Sequence, residues 1–251
     1  YDNKDEFLAT GHFQIGSIAV RVLSFSSTDI NPDFWFDRVN SAFEYRKKLR
    51  LANSDSTNVY RLIHAEGDNL PGLIVDYYNG HVVLQIHSIG MYRNLDKITG
   101  ALKAVLGDQL LSIYDKSEST MPHKGPIKVT NSNLLGDSSE AVVGENGLNF
   151  KVNWTVGQKT GFFIDQRENR ELVRKLAAGR KVLNMFSYTG GFSVYALSGG
   201  AESVHSVDSS AAAIDLVNEN MKLNFNDANQ QAYALDAFKY LDNTDNQYDI
   251  I

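Results

Sequence analysis

The sequence predicts an α/β protein in which residues 141–251 form a parallel, doubly wound sheet, preceded by an α+β module and a partial β-domain. Three observations lead there. From Lys181 onward, strand-like runs alternate with helical ones, the order that right-handed crossovers convert into a parallel sheet. Before that, Asn79-Gly80 separates two apolar runs, the strongest short hairpin signal. The chain opens with short β-like runs separated by glycines.

Composition narrows the class. The 251 residues are 43% hydrophobic and 22% charged, as in ordinary globular proteins, and hold no cysteine. Disulfides, thiolate metal sites and a cysteine nucleophile are excluded within these residues. The six histidines show no helical i, i+4 metal spacing, so no metal site is expected. No apolar run approaches the roughly 18 residues that span a bilayer, and no signal segment opens the chain; a cytoplasmic location is expected. A net charge of −6 argues against a protein that coats nucleic acid with its whole surface. Lys151 to Lys181 nevertheless carries eight Lys/Arg against three Asp/Glu, while Ala201 to Ile251 carries two against nine. The basic stretch suits one phosphate strand or, more simply, a solvated helix face.

Residues 1–28 read as β, with runs at Phe7-Ala9 and Ile18-Leu23. Two strands alone are marginal in water, and the chain starts without methionine, so this segment is expected to be the back half of a small domain. In residues 29–140, Asn31-Pro32 opens a helix carrying Phe36, Val39, Phe43 and Leu49, with Arg46, Lys47, Lys48 and Arg50 where cations suit the dipole. The hairpin Gly72-Tyr77 and His81-Ile86 follows, then a helix with Leu95, Ile98, Leu102 and Leu106 capped by Gly107, then a strand at Leu111-Tyr114. Glu118 to Glu140 is polar and reads as a linker or excursion. Residues 141–251 supply strands at Lys181-Phe186, Ser203-Asp208 and Gln231-Leu235, and a fourth opening at Tyr248-Ile251. Such sheets have five to seven strands, so this one is expected to be incomplete.

Ligands of doubly wound sheets sit beyond the strand carboxyl ends. The first such turn is Ser187-Tyr188-Thr189-Gly190-Gly191, where glycines let backbone approach a ligand or serve only tight packing. Asp208, eighteen residues beyond Gly190, can take both hydroxyls of a ribose, or cap the helix begun by Ser209-Ser210-Ala211. Asp236-Ala237-Phe238 can meet an adenine amino group and ring face, or be another cap. The turn lacks the G-x-G-x-x-G register that a dinucleotide pyrophosphate needs, and no phosphate-cradling Gly-Lys-Ser/Thr occurs. A sulfonium nucleoside needs only close backbone and a ribose acid, which favours S-adenosylmethionine.

Longer motifs carry a resemblance. Gly157-Gln158-Lys159-Thr160-Gly161-Phe162-Phe163-Ile164-Asp165-Gln166-Arg167-Glu168-Asn169-Arg170 resembles the K-T-G-[FY]-[FYL]-x-D-[QH]-R-x-x-R signature of bacterial rRNA methyltransferases. Val182-Leu183-Asn184-Met185-Phe186-Ser187-Tyr188-Thr189-Gly190-Gly191-Phe192 resembles their cofactor loop, and Arg61-Leu62-Ile63 with Leu70-Pro71-Gly72-Leu73-Ile74-Val75-Asp76 their central-domain signature. The nearest family is that of the PUA-containing large-subunit rRNA cytosine-C5 methyltransferases. The resemblance implies a class I (Rossmann-like) methyltransferase sheet, a central α+β domain and a partial PUA-like β-domain. It implies S-adenosyl-L-methionine held by Gln166, Arg167, Phe186, Ser187, Tyr188, Thr189, Gly190, Gly191, Asp208, Ser209, Asp236, Ala237 and Phe238. It also implies large-subunit ribosomal RNA as partner, leaves room for a homodimer, and implies an Asp-Pro-Pro motif and a nucleophilic cysteine beyond Ile251. Arg167 and Arg170 have a plainer alternative, a helix-surface ion pair with Glu171 or another neighbour. A guanine-modifying relative and a non-catalytic RNA-binding protein stay open beside the cytosine reading.

Overall fold

The computed structural model describes residues 1–16, 18–122 and 127–251, which divide into two compact units. The first comprises Tyr1–Ala141 with Asn153–Phe162, the second Val142–Val152 with Phe163–Ile251.

In the first unit, β1 (Thr10–Phe13) and β2 (Val20–Ser24) pair antiparallel. The run at Phe7-Ala9 is not the strand; β1 begins at Thr10, where pairing with Ser24 starts. Helix α1 (Pro32–Lys48) starts where expected, with Asn31 Oδ1 accepting the Phe34 N–H at 3.0 Å. Its buried face is Phe34, Trp35, Val39, Ala42 and Phe43, whereas Phe36 and Leu49 are exposed. Arg46 is also buried: rather than only facing the helix dipole, it forks onto Asp68 at 2.5 and 2.7 Å. That partner lies 22 residues away, out of reach of any local pattern.

Strands β3 (Val59–His64), β4 (Leu73–Tyr78), β5 (His81–Ile86), β6 (Ser112–Asp115) and β7 (Ser132–Leu135) form one sheet in that order. All neighbours run antiparallel except β5 and β6, which the connection through α2 (Ile89–Tyr92) and α3 (Leu95–Leu106) leaves parallel. The expected helix–hairpin–helix–strand module therefore lacks two strands, β3 and β7, the latter inside the presumed linker. Helices α1 and α3 pack together, and the core gathers Trp35, Leu62, Leu73, Leu84 and Leu102.

The two motifs quoted from residues 61–76 and 157–170 meet inside this unit. Asp76 is fully buried; it takes Arg61 Nε at 2.8 Å and the Thr160 hydroxyl at 2.6 Å. Tyr78 Oη lies 2.8 Å from the same hydroxyl. Thr160 is thus a structural tie, which explains a threonine beside Gly161.

The second unit opens on the hairpin β8 (Glu140–Glu145) and β9 (Leu148–Asn153), of which residues 142–152 belong to it. There follow α4 (Arg167–Leu176), β10 (Lys181–Met185), α5 (Gly191–Ser198), β11 (Ser203–Asp208), α6 (Ala211–Asn224), β12 (Gln230–Ala234) and α7 (Ala237–Asn243). β10, β11 and β12 are parallel in that order, and Ile250 bridges in parallel to Val182 on β10. Alternate residues serve opposite faces, as a sheet covered twice requires. Val182 and Val204 pack with Ala177 and Ala196, while Leu183 and Val207 pack with Tyr240.

Among the described residues no helix is long and apolar enough to cross a membrane, and no three His, Asp or Glu are grouped as metal ligands. His123 lies outside the described residues.

Asn79 and Gly80 turn the β4–β5 hairpin with φ of 47° and 91°. A Cβ at Gly80 would stand 2.9 Å from Leu111 and 3.0 Å from the Gln109 carbonyl. Gly80→Ala is expected to cost about 1–3 kcal/mol from strain and crowding, read by urea unfolding. Asn79→Gly, which relaxes φ, should cost less.

Candidate cofactor site

Sheet order decides where a ligand can enter. β11 lies on one side of β10 and Ile250 on the other, so the chain reverses direction of winding at the carboxyl end of β10. The strand ends at Met185, one residue before the expected Phe186, because Phe186 turns into left-handed backbone at φ 55°. Tyr188 and Gly190 do so too, at 47° and 76°. Left-handed residues spaced two apart fold successive amides into a concave backbone, the geometry that receives a polar group.

Each bend is tied. Ser187 N–H donates to the Val207 carbonyl at 3.0 Å and Gly190 N–H to the Ser187 carbonyl at 2.8 Å. The buried Asn220 of α6 donates to the Thr189 carbonyl at 2.8 Å and accepts the Lys151 N–H of β9 at 2.7 Å. The two glycines have separate reasons. Gly190 needs its positive φ, and a Cβ there would stand 3.0 Å from Val217. A Cβ on Gly191 would stand 3.1 Å from Arg170 Cδ, so this glycine admits an arginine stem.

Asp208 points at this turn. Its Oδ2 accepts the Tyr188 N–H at 2.9 Å and its Oδ1 the Ser210 N–H at 2.9 Å. The helix cap is Ser210, whose hydroxyl accepts from Ala213, so Asp208 is not the cap. An ionised carboxylate has about four acceptor positions, which leaves two for hydroxyls of a ligand. Ser209 beside it is exposed. Asp236 does cap its helix, accepting from Phe238 and Lys239 at 3.1 Å each. Ala237 opens that helix, and the Phe238 ring is 74% exposed. Phe186 is 76% exposed, so two bare aromatic rings flank the sheet edge at β10 and β12. Those strands are two spacings apart, about 10 Å, room for a purine between them.

Gln166 and Arg167 precede α4; Gln166 accepts from Asn169 at 2.9 Å, and Arg167 meets the exposed Glu168 at 3.1 Å. Arg170 is no surface residue. Only 2% exposed, it grips the fully buried Glu145 through Nε and Nη2 at 2.8 Å each and gives Nη1 to the Phe163 carbonyl at 2.9 Å. Tyr195 Oη adds a hydrogen bond to Glu145 at 2.9 Å. Burial pushes the Glu145 carboxyl up, and the Arg170 guanidinium and Tyr195 hydroxyl pull against it.

The concave turn, the acceptor capacity left on Asp208 and the exposed rings fit an adenosyl group without phosphates. A family model for S-adenosylmethionine-dependent methyltransferases matches residues 61–243. The chain belongs to that family. Among curated relatives, it is 37% identical over 245 residues to ribosomal RNA large subunit methyltransferase I of Erwinia tasmaniensis, and 38% identical over 246 residues to that of Aeromonas salmonicida. Each alignment covers 96% of this chain, which spans 61% of the length of these relatives. Among solved structures, a candidate SAM-dependent methyltransferase from Streptococcus mutans superposes with a TM-score of 0.82 at 30% identity, covering 96% of this chain and 62% of that one. A candidate methyltransferase complexed with SAH superposes with a TM-score of 0.83 at 29% identity, with the same coverage of both chains.

Within this methyltransferase-family site, sequence reasoning missed Glu145 and Asn220, which shape the turn without belonging to a motif. The Asn146-Gly147 pair was a usable signal for the hairpin that carries Glu145. Nothing local marks Asn220.

Removing one partner of the buried pair leaves an uncompensated charge. Arg170→Met is expected to lose about 3–5 kcal/mol in chemical denaturation. Converting Glu145 to Met as well should recover part of that loss; a double variant less stable than Arg170→Met would contradict the pairing.

Proposed function

We propose that this chain is part of an S-adenosylmethionine-dependent methyltransferase that modifies large-subunit ribosomal RNA in the cytoplasm. The observation that carries it is Asp208 turned onto the glycine loop at the reversal point of the sheet. In this proposal, Asp208 and Ser209 hold the ribose hydroxyls. Asp236, Ala237 and Phe238 meet the adenine, and the backbone of Phe186 to Gly191 closes around the rest. Gln166 and Arg167 lie along the loop's outer side. Bound S-adenosylmethionine supplies an electrophilic methyl group. The chain's residues orient that group and keep adenosine in a fixed pose, which is where positioning contributes to rate.

The RNA assignment follows the names of the curated relatives, and the base follows the motifs. Cytosine C5 in 23S RNA is our first reading; it requires a nucleophilic cysteine, and none of these 251 residues is one. No catalytic residue is therefore assigned here. The same reading takes residues 1–28 as PUA-like, 29–140 as the central domain and 141–251 as the start of an incomplete methyltransferase domain, with the protein acting as a homodimer.

S-adenosylhomocysteine is expected to raise the thermal midpoint of this chain. Asp208→Ala should abolish the rise, while Asp208→Asn, which keeps one acceptor for Tyr188, should weaken it. No rise with S-adenosylhomocysteine, together with one from NAD, would sink the cofactor assignment. Nucleoside analysis of RNA methylated by the whole protein separates the bases: 5-methylcytosine supports the first reading, a methylguanine replaces it.

A further inference from the structure

Among the described residues, the buried side-chain nitrogens without a hydrogen-bond partner are His12 Nδ1, Arg21 Nη1 and Trp35 Nε1, all in the first unit. They are neighbours. His12 and Arg21 are directly opposed across β1 and β2, so their side chains share a face. The His12 ring stacks on Trp35 with centroids 6.4 Å apart. Asn94 Nδ2 approaches His12 Nε2 at 3.4 Å, which assigns the imidazole hydrogen to Nδ1. All three atoms are then donors. Buried donors are almost always paired, so a cluster of them marks a place short of acceptors.

Arg21 is the member that solvent can reach. Its stem passes 3.7 Å from where a Cβ on Gly72 would stand, and the Gly72 carbonyl takes the His87 N–H at 2.8 Å. The guanidinium therefore lies beside the exposed His87 imidazole. Burial, and after it the charge of Arg21, lower the His87 pKa; Arg61 acts in the same sense and Glu66 opposes it. Arg61 is already committed to Asp76 at 2.8 Å. Arg21 has no carboxylate partner. A half-buried cation without a counter-ion is costly, and the cost is recovered when an anion arrives.

We propose that Arg21 and His87 form the seat of one RNA phosphodiester on the first unit. The inference rests on the RNA substrate proposed above. Two donors at an open surface are too few to retain free phosphate, but they suffice as one contact among many along a strand. The contact fixes register and carries no base information.

Binding of a uridine 20-mer RNA to the protein, followed by fluorescence anisotropy between 50 and 200 mM salt, tests this. Arg21→Ala should weaken binding roughly fivefold at the lower salt and reduce the log–log salt slope by about 0.7, the share of one single-strand phosphate. Arg21→Lys should keep the slope, and both variants should keep the wild-type thermal shift with S-adenosylhomocysteine, which separates this proposal from the cofactor reading. An unchanged slope in Arg21→Ala overturns it. So does a thermal rise with inorganic phosphate that Arg21→Ala removes while RNA binding is unchanged, since the seat would then serve free phosphate. A lower melting point with unchanged RNA binding would mean an acceptor from the protein itself, and also overturns it. A wild-type protein that does not bind RNA overturns both this contact and the RNA substrate.

Discussion

The architecture of the cofactor turn depends on one buried ion pair. Arg170 and Glu145 join elements that are distant in the chain: the β8–β9 hairpin, the start of α4 and, through the arginine stem beneath Gly191, the start of α5. Exchanging water for a partner is favourable for such groups only when every donor and lone pair is used. Here that condition is nearly met, with Nε and Nη2 on the carboxylate, Nη1 on the Phe163 carbonyl and Tyr195 on the same carboxylate. The arginine is thus part of the floor of the turn, and the small residue above it is a consequence of its bulk.

The family match and the geometry bear on different questions. The match to residues 61–243 covers parts of both units and states what kind of protein this is. The geometry states why particular letters recur in its motifs. Thr160 satisfies Asp76 and Tyr78; Gly190 takes a backbone conformation other residues avoid; Asp208 fixes the Tyr188 amide. Each is needed for shape before any ligand is considered, and Asp208 alone among them keeps capacity to spare.

Much of this was legible in the sequence where the determinant is local. Asn31-Pro32, Asn79-Gly80 and Gly107 act within a few residues, and the helix start, hairpin and helix end they predict are present. The alternation after Lys181 likewise produced parallel strands in order. What escaped depends on partners far away. Arg46 and Arg170 read as solvated cations until Asp68 and Glu145 are brought beside them across 22 and 25 residues. β3 escaped because Val59–His64 mixes Arg and His with apolar residues. The β8–β9 hairpin is a different case. Asn146-Gly147, with φ of 51° and 79°, repeats the signal used at Asn79-Gly80 and was passed over beneath the stronger alternation that follows.

Asn220 has a further consequence. One amide, wholly buried, fastens the Thr189 carbonyl with its nitrogen and the β9 backbone with its oxygen. Rotating it would break both bonds at once, so the turn and the hairpin cannot loosen separately. Access to the adenosyl crevice is therefore governed by cooperative opening of the whole unit and not by local fraying of its rim. A ligand held there would resist exchange to the degree that the unit resists unfolding, and would in return add its own binding energy to that resistance.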